Sequence, residues 1–106
     1  MVKEILTGAG FEENKTFKET RFLKPPKSTY SIFMDSYKGR GADDLNLIKE
    51  HTYTIELYAY KADPEAEKRI EAELNKRGIQ FDKLTRQWLE TEQLYMTVYT
   101  FNFIEK

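Results

Sequence analysis

The chain has 106 residues, which suits one domain with a modest core and leaves little room for a second. Forty per cent of the residues are hydrophobic; a domain this small buries only about two thirds of its unfolded surface, so contact with a partner or with further copies would add stability. With no cysteine, disulfides, thiolate zinc sites and thiol nucleophiles are excluded, and a net charge of −1 offers no whole-chain attraction for a polyanion.

The opening, MVKEILTGAGF, carries an acidic residue and a short apolar run, and reads as neither signal peptide nor membrane anchor. No apolar stretch approaches the roughly 18 residues that span a bilayer. Val2, Ile5, Leu6 and Ala9 share one face at helical spacing, so a short helix is expected within residues 1–10, ended by Gly8 and Gly10. Thr16–Leu23 places Phe17, Phe22 and Leu23 among charges and reads as an extended strand. Pro25-Pro26 then breaks any ladder, because neither ring carries an N–H.

Ser28–Tyr37 reads as a strand with Tyr30, Ile32 and Met34 on one face and Phe33 on the other. Lys38–Asp44 (KGRGADD) has two glycines and four charges in seven positions, and is expected as the tip between two antiparallel strands. Leu47–Tyr60 is the strongest strand. His51, Tyr53, Ile55, Leu57 and Ala59 line one face, and Thr52, Thr54, Glu56, Tyr58 and Tyr60 the other.

A helix is predicted over about 64–77. Asp63 is placed to cap it, Pro64 takes the first helical position where a missing N–H costs nothing, and Gly78 supplies a left-handed end. Ala66, Ile70 and Leu74 form a narrow apolar stripe, so this helix should lie on a sheet. Gln80–Leu89 and Leu94–Ile104 are two further strands, joined by a polar turn at Glu90-Thr91-Glu92. On the last strand Leu94, Met96 and Val98 point one way and Tyr95, Tyr99, Phe101 and Phe103 the other, which suits a central position. The expected fold class is α+β: a mostly antiparallel sheet of four to five strands in mixed order, one main helix packed on it, and a short N-terminal helix.

Residue chemistry offers no active site. His51 is the sole histidine, and its neighbours Glu50 and Thr52 are adjacent only in sequence, so it reads as an ordinary strand histidine. Asp43 and Asp44 with Asp35 could gather a hard cation, yet the spacing of a calcium loop is absent and a solvated loop is the simpler reading. Glu67 and Glu71 share the helix with Lys68 and Arg69 and read as a solvated mixed-charge face. Gly8-Ala9-Gly10 and Gly39-Arg40-Gly41 are too short for phosphate loops. The basic run Lys15, Lys18, Arg21, Lys24 and Lys27 alternates sides on a strand; it lacks any sequence-reading signature, although nonspecific lining of a DNA passage needs only a few such charges. Charge is uneven along the chain. Residues 1–41 hold eight Lys/Arg against five Asp/Glu, and residues 42–106 nine against thirteen, a pattern open either to surface scatter or to a head-to-tail contact between copies.

One ordered series goes further. Glu56-Leu57-Tyr58, Asp63-Pro64-Glu65, Arg77-Gly78-Ile79, Glu90-Thr91-Glu92 and Tyr95…Tyr99-Thr100-Phe101 follow one another over a stretch that, with the upstream strand, covers about residues 28–104. The series resembles small tail-completion proteins of siphophages and prophages of Gram-positive bacteria, the tail terminator or head–tail joining family. The resemblance implies a structural virion protein with no enzymatic activity, no cofactor and no metal. Its partners would be copies of itself in a hexameric ring, the major tail-tube protein and the head–neck connector or stopper. DNA would pass through the lumen without sequence-specific binding, and no membrane would be involved. Its place would be the head-proximal end of the tail, after assembly in the host cytoplasm. The candidate interface residues are Lys38, Arg40, Asp43 and Asp44 of the glycine-containing loop. Another neck or head-completion protein, and a small non-enzymatic binding module, are the competing readings.

Overall fold

The computed structural model describes the backbone of residues 1–40 and 48–105 and the side chains of residues 1–36 and 50–103. The elements in order are α1 (Val2–Gly8), β1 (Phe17–Glu19), β2 (Tyr30–Arg40), β3 (Ile48–Ala59), α2 (Pro64–Lys76), β4 (Asp82–Leu89) and β5 (Leu94–Glu105). They form the expected α+β fold: a five-stranded sheet in the order β1-β2-β3-β5-β4 with both helices on one face. Among the described residues three of the four strand pairings are antiparallel, and β1 alone runs parallel to its neighbour β2.

The period-2 pattern decides which face is buried. Phe33 pairs with Ile55, Ile55 with Tyr99, and Tyr53 with Phe101, and all of these side chains enter the core. The helices press Val2, Ile5 and Leu6 from α1, and Ala66, Ile70 and Leu74 from α2, against them. Ile5, Leu6, Ile70 and Leu74 are fully buried. The α2 start is as the sequence requires: the Asp63 carboxylate accepts from the Ala66 N–H at 3.1 Å and from the Thr29 hydroxyl at 2.7 Å. At its end Gly78 has φ 69°, a conformation that favours glycine.

Length explains the shape. The 12 residues of β3 extend about 40 Å, whereas the 13 residues of α2 rise only about 20 Å. The sheet therefore outruns its helices, and the domain measures 48 × 29 × 23 Å. Where α2 stops, a groove of about 1030 Å³ opens between Met1, Arg77, Phe81 and the β5 residues Phe101 and Phe103.

Two expectations need correction. The strand predicted over Thr16–Leu23 is only Phe17–Glu19, because Thr20 turns to φ 71° and donates its N–H to the Phe33 carbonyl at 2.8 Å, steering the chain out of the sheet. The loop predicted over Lys38–Asp44 begins later: Lys38, Gly39 and Arg40 continue β2, opposite Glu50, Lys49 and Ile48. Ladder pairing on β3 outweighs the turn preference of Gly39. Asp43 and Asp44 lie outside the described residues.

Candidate assembly interface

The face of the sheet opposite the helices carries no second layer among the described residues. Ile32 and Met34 of β2, Met96 and Val98 of β5 and Leu84 of β4 point to this side, and Leu84 is half exposed. On β3 the polar Thr54 and Glu56 stand between them, so the partly exposed apolar side chains form two groups on either side of a polar row. The flank of the sheet is also open. Among the described residues β4 pairs only with β5, and its residues Asp82–Trp88 are exposed throughout. A register shift between Leu84 and Gln87 bends β4, which blunts it as a template for ladder extension and leaves its side chains as the points of contact.

One end of the open face is crossed by the segment between β1 and β2, residues 20–29, here termed the strap. It is fastened by aromatic packing. Phe22 meets Tyr30 edge-on at 5.6 Å between ring centroids, and Tyr30 stacks on Tyr58 at 5.2 Å. The Tyr60 hydroxyl donates to the Pro26 carbonyl at 3.3 Å. Burial raises the Tyr58 phenol well above its usual range, and its hydrogen bond to Glu56 at 2.7 Å raises it further. The anchored strap displays Arg21, Leu23, Lys24 and Lys27 outward, with Leu23 79% exposed. The basic run is thus split by the fold: Lys15 pairs with Glu12 and Lys18 sits on β1, while the remaining three cations share the strap.

Glu67 corrects another expectation. It is not on a solvated face: its side chain is 8% exposed and enters a polar network between α2 and the β4–β5 pair. Arg86 donates to it at 2.7 Å, Lys83 at 3.2 Å and the Thr97 hydroxyl at 3.1 Å. Lys83 also reaches Glu71 at 2.7 Å, and the buried Tyr99 hydroxyl donates to Glu71 at 2.8 Å. Burial alone would raise the Glu67 carboxyl, but the hydrogen bonds from Arg86 and Lys83 outweigh it and hold the group below its ordinary value near 4.5. The hydrogen bond to Glu71 raises Lys83, and that to Glu67 raises Arg86. The network clamps the edge strand to the helix, so the exposed side of β4 rests on a rigid base. The i,i+4 pair Glu67/Glu71 and the i,i+3 pair Lys83/Arg86 were visible in the sequence; their meeting was not.

His51 does have an orienting partner, contrary to expectation. Its Nδ1 lies 2.9 Å from Asp35 Oδ1, and its ring stacks on Tyr53 at 5.4 Å with an interplanar angle of 3°. The pairing is diagonal across β2 and β3, whose register sets Tyr37 opposite His51 and Asp35 opposite Tyr53. It pins that register where the ribbon leaves the helices. Of the predicted interface residues, Lys38 and Arg40 have their backbone in this ribbon, and Asp43 and Asp44 fall outside the described residues. The oxygen cluster set aside above, Asp35 with Asp43 and Asp44, lies in part outside them too, and among the described residues no three His, Asp or Glu side chains converge on a point that could hold a metal.

The fold and surface define a class: a small α+β domain with a half-covered sheet, an open edge and an anchored cationic strap. Comparison of the chain with protein-family models, with curated proteins and with solved structures returns no match.

Proposed function

We propose that this chain is a structural virion subunit, a tail terminator that assembles as a ring on the head-proximal end of the tail tube and offers the neck a docking surface. The observation that supports a role in assembly is the half-covered sheet: Ile32 and Met34 on one side of the polar β3 row, and Met96, Val98 and Leu84 on the other, have no layer over them among the described residues. A ring subunit needs such faces and a rigid frame to present them, and heterologous contacts that close supply the ring. The Glu67 network and the Asp35–His51 pair provide rigidity without requiring chemistry at either place. The resemblance over residues 28–104 supplies the particular assembly.

The test is mass in solution, and again after addition of purified tail tubes. Six copies bound at one tube end is the expected result. A chain that associates with neither tube nor connector, while remaining folded, refutes the reading; one that binds the connector but never the tube is a stopper or other neck protein. The groove of about 1030 Å³ beside Arg77 and Phe103 favours a second reading, a small-ligand binding module. Under that reading the chain stays monomeric with tubes, and a metabolite screen raises its melting temperature.

A further inference from the structure

The described cations fall into two sets. Lys3, Lys15, Lys68, Arg77, Lys83 and Arg86 each lie between 2.7 and 3.9 Å from a carboxylate. Among the described residues Arg21, Lys24 and Lys27 of the strap, and Lys61 next to Tyr60, have no such partner; the others are Lys18, Lys76 and Arg69, which donates to the Ala9 carbonyl. The strap runs Arg21 to Lys27 with three cations and no acid. On the other side of the same sheet end, the β4–β5 turn holds Glu90 and Glu92 with no cation between Leu89 and Leu94.

Exposed apolar side chains follow the same division. Among the described residues the large ones are Leu23 (79% exposed), Tyr60 (46%), Leu84 (50%) and Trp88 (43%). Leu23 and Tyr60 belong to the strap side; Leu84 and Trp88 belong to β4. Glu90 accepts a hydrogen bond from the Trp88 indole N–H, so charge and apolar group are tied together on that flank.

We propose that neighbouring copies of this chain join head to tail, the strap of one (Arg21, Leu23, Lys24, Lys27) seated against the β4–β5 flank of the next (Leu84, Trp88, Glu90, Glu92). The proposal rests on the self-assembly reading and assigns it a contact. The strap presents Leu23 among its cations; along the β4 edge Leu84, paired with Val98, faces the open side and Trp88, paired with Tyr95, faces the helix side beside Glu90, and the charges of the two surfaces are opposite in sign. Among the described residues no ion pair joins the two surfaces within one copy. Glu92 of the same copy acts on the phenols of Tyr30 and Tyr58, yet it makes no ion pair with the strap among the described residues. Because strap and flank are different surfaces, the contact is heterologous and repeats around an axis instead of stopping at a pair. A phosphate backbone would also meet the strap's cations, but it would leave Leu23 in water and the β4 flank without a counterpart.

The experiment reverses charge on each side separately: Arg21→Glu with Lys24→Glu, and Glu90→Lys with Glu92→Lys. All four side chains are exposed, and circular dichroism checks that both variants fold. Assembly is read by light scattering and native mass spectrometry, alone and on tail tubes, with binding of a 20-base-pair duplex followed by anisotropy. Each variant alone should need at least tenfold more protein to assemble than the parent. Mixed in equal amounts they should assemble again, in rings that alternate the two variants, because every contact then joins opposite charges. Variants that assemble like the parent, or a mixture of folded variants that stays apart, overturn this contact and leave the ring reading standing. A strap variant that loses only duplex binding assigns the strap to DNA and likewise overturns it. A parent chain that never associates, with or without tubes, removes the ring reading itself.

Discussion

Glu67→Gln tests whether the network under β4 carries stability. The substitution keeps the shape of the side chain and removes its charge. Glu67 accepts hydrogen bonds at 2.7, 3.1 and 3.2 Å with its side chain 8% exposed. Bonds to a charged group contribute about 1.5–3 kcal/mol each where water is excluded. Lys83 and Arg86 remain about one third exposed, and Lys83 keeps Glu71 in the variant, so the sum must be discounted. A loss of about 2 kcal/mol is expected, read as a lower urea midpoint at unchanged slope. The pH dependence gives a second reading. The folded carboxyl titrates below its ordinary value near 4.5, so its contribution is present above that value and is lost as pH falls through the lower, folded value. Parent and variant should therefore converge in acid. Lys83 titrates above its ordinary 10.5, so its contribution is full below that pH and fades above it. In a background lacking both Lys83 and Arg86 the Glu67→Gln effect should shrink. Equal stability of parent and variant at pH 7, or an effect unchanged by removal of both cations, would refute the reasoning.

Other substitutions probe other parts. Leu74→Ala empties a fully buried site under α2 and should cost about 2–5 kcal/mol in a urea titration. Asp63→Ala removes both the α2 cap and the tie to Thr29, with an expected loss of about 2 kcal/mol, while Asp63→Asn should retain more than half of it. Thr20→Gly should stabilise: relief of the left-handed strain at φ 71° amounts to about 1–2 kcal/mol, against about 0.5–1 kcal/mol of added chain entropy in the unfolded state, and thermal unfolding should show a higher midpoint.

What the sequence by itself determined was local. A capping aspartate, a proline at the first helical turn and a glycine at the end marked α2, because those three residues act on backbone groups within a few positions. Alternation along β3 and β5 sorted their side chains correctly into two faces, since the pleat has a fixed period of two. Only the tertiary structure decided what those faces meet. Glu67 could not be read as buried, because its partners Arg86 and Thr97 arrive from strands 19 and 30 residues away. His51 gained Asp35 through a hairpin register that its immediate neighbours do not encode. The basic run looked continuous in one dimension; the turn at Thr20 and the parallel β1–β2 pairing divided it, leaving three cations and an exposed leucine on a strap. Long-range contacts are set by how elements stack, and stacking depends on the whole chain at once.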